Sequence, residues 1–137
     1  MAGRFVPFTK DQLERIIATH PTPFHIYDEK AIRENARNLA KQFSWAPGFR
    51  EFFAVKATPN PYIMKILKEE GFGADCSSMP ELMLAEKIGL PGPCIMFSSN
   101  DTPYQEYQKA KDLGAIINLD DITHIPYLER QVGLPEL

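Results

Sequence analysis

Four short apolar segments, centred on Phe53, Ala74, Ile95 and Ile116, recur 21 residues apart through the second part of the chain. A period that short leaves room for one strand and one helix per unit, and such units are stable only when stacked side by side. Each unit closes alike. A glycine follows an apolar helical run, Gly71 after Ile63, Ile66 and Leu67, Gly89 after Leu82, Ala85 and Ile88, Gly114 after Tyr107, Ala110 and Leu113, and glycine readily takes the left-handed turn that ends a helix. The openings repeat too: Asn60-Pro61, Ser78 with Glu81 at capping-box spacing, and Thr102-Pro103 with Gln105 all read as helix starts. A leucine-rich solenoid shares the period, but its Leu-x-x-Leu-x-Leu-x-x-Asn pattern is absent. The pattern predicts an α/β fold of about four parallel β/α units, as in a (β/α) barrel.

Length then constrains the architecture. A complete eight-unit barrel takes about 250 residues, whereas this chain has 137 and adds to its four units only a further helix expected from Ile122 to Arg130. The expectation is a piece of a barrel. Four strands in an arc leave two open edges, so either further chain completes the ring or two copies complete each other. Upstream, Thr9 and Gln12 form a capping pair for a helix ending near Thr19, and His20-Pro21-Thr22-Pro23 stops it. Phe24-His25-Ile26-Tyr27 reads as a strand, and Asp28 as the cap of a helix whose Ile32, Ala36, Leu39 and Phe43 share one face before it ends near Trp45-Ala46-Pro47-Gly48.

Composition excludes some partners. With 15 basic and 18 acidic residues, a net charge of -3 and 44% apolar residues, the chain has an ordinary globular balance and no basic stripe for nucleic acid. No apolar run approaches the roughly 20 residues of a membrane span, and Met1-Ala2-Gly3-Arg4 leads into no signal core; a cytoplasmic protein is the expectation. Cys76 and Cys94 lack metal-ligand spacing and read as buried free thiols. His20 and His25, beside prolines, read as turn or strand residues, and no metal is expected.

The chemistry is expected at the carboxyl edge of the sheet, where α/β folds place their reactive groups. Phe52-Phe53-Ala54-Val55-Lys56-Ala57 reads as a strand buried on both faces that ends in a lysine. An amine flanked by apolar residues is partly desolvated, which favours its neutral, nucleophilic form and suits Schiff-base chemistry; the plainer reading is a lysine that ends a core strand and snorkels to water. The repeat sets Asp75, Ser77, Ser78, Ser98, Ser99, Asn100, Asn118, Asp120 and Asp121 on the same rim. Asp75 can orient the amine or hydrogen-bond a cofactor. Ser78, Asn100, Asp101 and Thr102 also read as cap and turn residues.

Four passages carry a family resemblance: Thr22 to Asp28, Phe53-Ala54-Val55-Lys56-Ala57, the Asp-x-x-Ser-x-x-Glu of Asp75 to Glu81, and Gly114 to Asp121. In order and spacing they resemble the N-terminal part of the fold-type III pyridoxal-phosphate decarboxylases, above all the diaminopimelate decarboxylase family. The resemblance implies the N-terminal half of an alanine-racemase-like TIM barrel spanning residues 28–137, preceded by residues 1–27, a helix and a strand that pairs in a C-terminal β-domain absent from this chain. It implies pyridoxal 5'-phosphate held as a Schiff base on Lys56, Asp75 as a cofactor-binding residue, a small-molecule amino-acid substrate and a homodimer. It also implies decarboxylation of meso-2,6-diaminopimelate to L-lysine and carbon dioxide in lysine biosynthesis, with the phosphate loop and partner-subunit residues beyond Leu137. Two departures bear on substrate. Ser99-Asn100-Asp101-Thr102 stands where that family has Gly-Asn-x-Lys, and Lys56-Ala57-Thr58 where it has Lys-Ala-Asn; Asp75-Cys76 also resembles the ornithine and arginine branches, and the alternatives are a decarboxylase of another basic amino acid or a non-catalytic barrel fragment that binds pyridoxal phosphate. An alanine racemase is disfavoured, because Pro59-Asn60-Pro61 replaces the Ala-Tyr-Gly that follows its lysine.

Overall fold

The computed structural model describes residues 6–135; the Met1–Arg4 opening and the last two residues of the 28–137 segment lie outside them. Four parallel strands, β1 (Phe52–Ala54), β2 (Gly73–Cys76), β3 (Ile95–Ser98) and β4 (Ile116–Asn118), form one sheet in chain order. Six helices accompany them: α1 (Lys10–Thr19), α2 (Glu29–Gln42), α3 (Pro61–Glu69), α4 (Met79–Lys87), α5 (Tyr104–Asp112) and α6 (His124–Gln131). Every strand is parallel to its neighbour, and the next helix in the chain follows each one. This is the arc of a (β/α) barrel. No helix among the described residues is long and apolar enough to cross a membrane.

Alternation splits the sheet into two faces. Ala74 and Cys76 on β2, and Ile95 and Phe97 on β3, are buried with Leu82, Ala85, Ile88, Tyr107, Ala110 and Leu128 from the helices. The other face carries Phe52, Ala54, Gly73, Asp75, Met96, Ser98, Ile116 and Asn118, and lines the concave side of the arc. That side is open: Ile116 is 44% exposed. Phe52 to Ala54 are accordingly half-buried, where the apolar run predicted a strand covered on both faces.

The repeat holds twice and then slips. Phe53 pairs with Ala74 and Ala74 with Ile95, but Ile116 pairs with Met96. A one-residue slip sends every side chain to the opposite face, so Ile116 enters the lumen and Ala115, 7% exposed, takes the place in the core that the 21-residue period gives to Ile116.

The helix ends behave as their sequences require. Gly71, Gly89 and Gly114 each have positive φ, and the N–H of the following residue returns to the last turn, Phe72 to Leu67 O, Leu90 to Ala85 O and Ala115 to Ala110 O, which satisfies carbonyls the helix leaves free. Lysines add to this: Lys68 Nζ donates to Ile88 O and Gly89 O at 2.9 Å each, and Lys111 Nζ to Val132 O and Gly133 O, so a helix caps the end of its successor. At the N-termini Thr9 and Gln12 cap α1 reciprocally, and Asp28 and Asn60 cap α2 and α3.

The upstream segment is held differently. Arg33 on α2 reaches Glu69 and Glu70 at 2.6 and 2.9 Å, and Arg37 reaches Glu70 at 2.7 Å, fastening α2 to the end of α3 over a small core of Ala36, Ile63, Leu67 and Phe72. By contrast α1 buries no residue. Phe24 to Tyr27, read as a strand, makes no ladder with the described strands, and His25, Ile26 and Tyr27 are exposed.

Candidate active site

Lys56 stands at the carboxyl edge of the sheet, where β1 turns toward α3. The strand ends at Ala54, two residues before it, and Val55–Ala57 form one 3-10 turn. Val55 is fully buried and anchors the turn, while Lys56 itself is exposed. The partial desolvation read from its apolar neighbours is thus a correction: a turn, unlike a strand, lifts the lysine clear of them. Its ammonium has no ion-pair partner among the described residues and lies near enough to Asp75 to act on its charge.

Asp75 lies beside it. The third residue of β2, it pairs with Ala54, and alternation sets it on the lumen face. Burial raises the Asp75 carboxyl above its ordinary range, the Lys56 ammonium pulls it back, and Glu81 adds to the rise. One of its oxygens, Oδ1, is buried without a hydrogen-bond partner. A buried acceptor in that state costs free energy until a donor reaches it. An exposed primary amine next to an acid with a vacant acceptor fits a cofactor that carries an aldehyde and hydrogen-bond donors. Lys56 and Asp75 are the residues of this chain that would hold it.

The rest of the rim sorts into supports and free groups. Ser78 takes the N-cap position of α4 but makes no side-chain cap; Glu81, 9% exposed, bonds Ser77 instead, accepting from its N–H at 2.8 Å and from its hydroxyl at 3.3 Å. The capping-box spacing pointed to the right acid and the wrong serine. Thr102-Pro103 with Gln105 likewise forms no cap on α5, whose N-cap is Pro103, because Pro103 in extended backbone starts that helix one residue later. A contact with no sequence signal does this work for α4: Glu106 Oε1 accepts the Met79 N–H at 2.9 Å. These two acids fix the loop that follows Asp75. Further round, Asn118 Nδ2 donates to Ser98 Oγ at 3.0 Å and to Asp120 Oδ1 at 2.7 Å, while Asp121 receives Thr123 Oγ1 and N, which hold it below the usual carboxylate range. Ser99, Asn100 and Asp101 lie in the turn before α5.

Both cysteines are free thiols. Burial, with Glu81 and Asp75 adding to it, pushes the Cys76 thiol up to about 12, so it is no nucleophile at neutral pH. Cys94 is only partly buried, unlike the fully buried thiol its sequence suggested. No three His, Cys, Asp or Glu side chains gather as a metal site among the described residues.

A half ring of parallel strands, each followed by a helix, with a lysine and a half-buried acid on its carboxyl rim defines a class, the (β/α) barrels. The family follows from comparison. Residues 29–135 match the family model for the pyridoxal-binding domain of pyridoxal-dependent decarboxylases, and the chain belongs to that family of carboxy-lyases, whose cofactor is pyridoxal phosphate. It is 48% identical over 125 residues to protein TabA of Pseudomonas amygdali pv. tabaci, covering 91% of this chain and 29% of that one. It is 40% identical over 100 residues to diaminopimelate decarboxylase of Methanothermobacter thermautotrophicus, covering 72% and 23%. The crystal structure of diaminopimelate decarboxylase from M. jannaschi superposes with a TM-score of 0.78 at 25% identity, over 85% of this chain and 28% of that one. The chain therefore spans less than a third of each of these three relatives.

Proposed function

We propose that the whole protein decarboxylates meso-2,6-diaminopimelate to L-lysine and carbon dioxide, with this chain as the N-terminal half of its barrel, Lys56 as the catalytic residue and Asp75 binding the cofactor. The observation that carries this reading is the placement of an unpaired Lys56 beside the vacant acceptor of Asp75 on the carboxyl rim. Pyridoxal phosphate, when bound, supplies the electron sink for the carbanion left by departing carbon dioxide. Lys56 provides the amine that attaches it, the turn from Val55 to Ala57 holds that amine at the rim, and Asp75 fixes the orientation of what is attached. The strand-like segment Phe24 to Tyr27 is assigned to a C-terminal domain, and residues lent by a second subunit complete the site in a homodimer.

A decarboxylase of another basic amino acid is the second reading. The likeness of Asp75-Cys76 to the ornithine and arginine branches supports it, and Thr58 and Thr102 stand where the diaminopimelate decarboxylases have asparagine and lysine. Turnover by the full-length protein separates the two. Release of carbon dioxide from meso-diaminopimelate with none from ornithine or arginine supports the first assignment; the reverse preference replaces it.

A further inference from the structure

Lys56 is carried on a short link with an anchor at each end. Before it, Val55 is fully buried. Lys56 and Ala57 are exposed, and Thr58 after them is half-buried, its side chain lining the apolar groove between α2, α3 and β1 with Phe53, Ile63 and Leu67. Thr58 bonds on every side. Its N–H donates to Val55 O at 3.1 Å and closes the 3-10 turn, its hydroxyl donates to Ala57 O at 2.7 Å, and its carbonyl accepts the Asn60 N–H at 2.7 Å. Asn60 in turn caps α3, accepting the Tyr62 N–H at 2.9 Å. The local sequence dictates this break in the turn. A proline disfavours helical backbone in the residue before it, and Thr58, ahead of Pro59, is extended at φ -156° and ψ 86°. The carbonyls of the residues on either side of Lys56, Val55 O and Ala57 O, therefore both end on Thr58.

We infer that Thr58 is the residue that fixes the Lys56 amine at the rim, its hydroxyl locking the Ala57 peptide so that the turn carrying the lysine keeps one geometry. Thr58 is a positioning residue and acts through Lys56. What the amine attaches rests on the proposed function; the bonds that Thr58 makes do not.

Thr58→Val, which keeps the branched shape and removes the hydroxyl, and Thr58→Ser, which keeps the hydroxyl, test this in the full-length protein. Hydrogen-exchange protection of the residue 58 amide, read without cofactor by mass spectrometry with fragmentation, reports whether the turn stays closed. Thr58→Val is expected to lower that protection about threefold or more, in line with the loss of one hydrogen bond, and Thr58→Ser to leave it within about twofold of native. Two labels then separate position from access. Formaldehyde with borohydride methylates any accessible amine, and its rate at Lys56 is expected to be the same in every variant. Pyridoxal phosphate trapped by borohydride needs the amine in place, and its rate at Lys56 is expected to fall about threefold or more in Thr58→Val alone. Unchanged protection in a folded Thr58→Val protein overturns the inference, as does native trapping at Lys56 in that protein, or failure of Thr58→Ser to restore both readings. If protection falls as expected but the native protein traps no pyridoxal phosphate at Lys56, Thr58 still fixes the turn and the Schiff-base reading falls.

Discussion

At the scale of single residues, the account turns on which polar groups are committed and which are free. Cys76 and Lys56 make the contrast, both near the rim, one sealed in the core and the other exposed. Cys76 is expected to resist alkylation in the native state at pH 7–8 and to react fully once the chain is unfolded, as mass spectrometry of iodoacetamide-treated protein would show; rapid native labelling would contradict a thiol pushed up to about 12. Tyr107 offers a second check. Its ring is 1% exposed, packs edge-on against Phe97 at 5.9 Å between centroids, and its hydroxyl has no partner. Removing an unsatisfied buried hydroxyl while keeping the ring is neutral or stabilising, so Tyr107→Phe is expected to leave the melting temperature unchanged or higher, whereas Tyr107→Ala is expected to cost about 3–5 kcal/mol.

At the scale of elements, what was legible in the sequence is local and what was not is tertiary. The glycine after each apolar helical face marked three helix ends because only local backbone geometry decides them, and Thr9-Gln12, Asp28 and Asn60-Pro61 marked helix starts for the same reason. Glu106 reaching across to the Met79 N–H has no such signature, since its partner lies 27 residues away. Glu106→Ala is expected to destabilise the fold by about 1–2 kcal/mol in urea unfolding, and Glu106→Gln, which can still accept, by less. The attachment of α2 is partly electrostatic, and that part predicts a pH dependence. Arg37 and Arg33 hold the Glu70 carboxyl down at about 2 against an ordinary 4.5. A depressed carboxylate stabilises the fold fully above its unfolded value and loses that contribution as the pH falls. The Glu70 contribution is therefore present above about 4.5 and lost between there and about 2. Glu70→Gln is expected to flatten this part of the acid denaturation profile; an unchanged profile would mean the bridges add nothing.

At the scale of the whole molecule, the parallel arc and its rim lysine were readable because the repeat fixes strand order and because parallel strands put all their carboxyl ends on one side. The exposure of Lys56 was not, since it depends on a single 3-10 turn that the apolar run conceals. Nor was the inversion of Ile116, which depends on one residue in the spacing between β3 and β4. The concave face, with Phe52 and Met96 half-buried, Ile116 exposed and the outer edges of β1 and β4 unpaired among the described residues, is a surface of the kind that further strands bury. Chain 1–137 by itself is expected to show no lysine production from meso-diaminopimelate while the full-length protein does, and measurable turnover by the short chain would contradict the proposed division of the site.

The central claim, that the Lys56 amine carries the cofactor, is tested most directly by borohydride reduction of the full-length protein saturated with pyridoxal phosphate, followed by peptide mass mapping. The account predicts one phosphopyridoxyl group on the peptide containing Lys56, none in Lys56→Ala, and loss of the violet absorbance on reduction. Modification of a different lysine, or an unmodified Lys56 peptide at saturating cofactor, would contradict it.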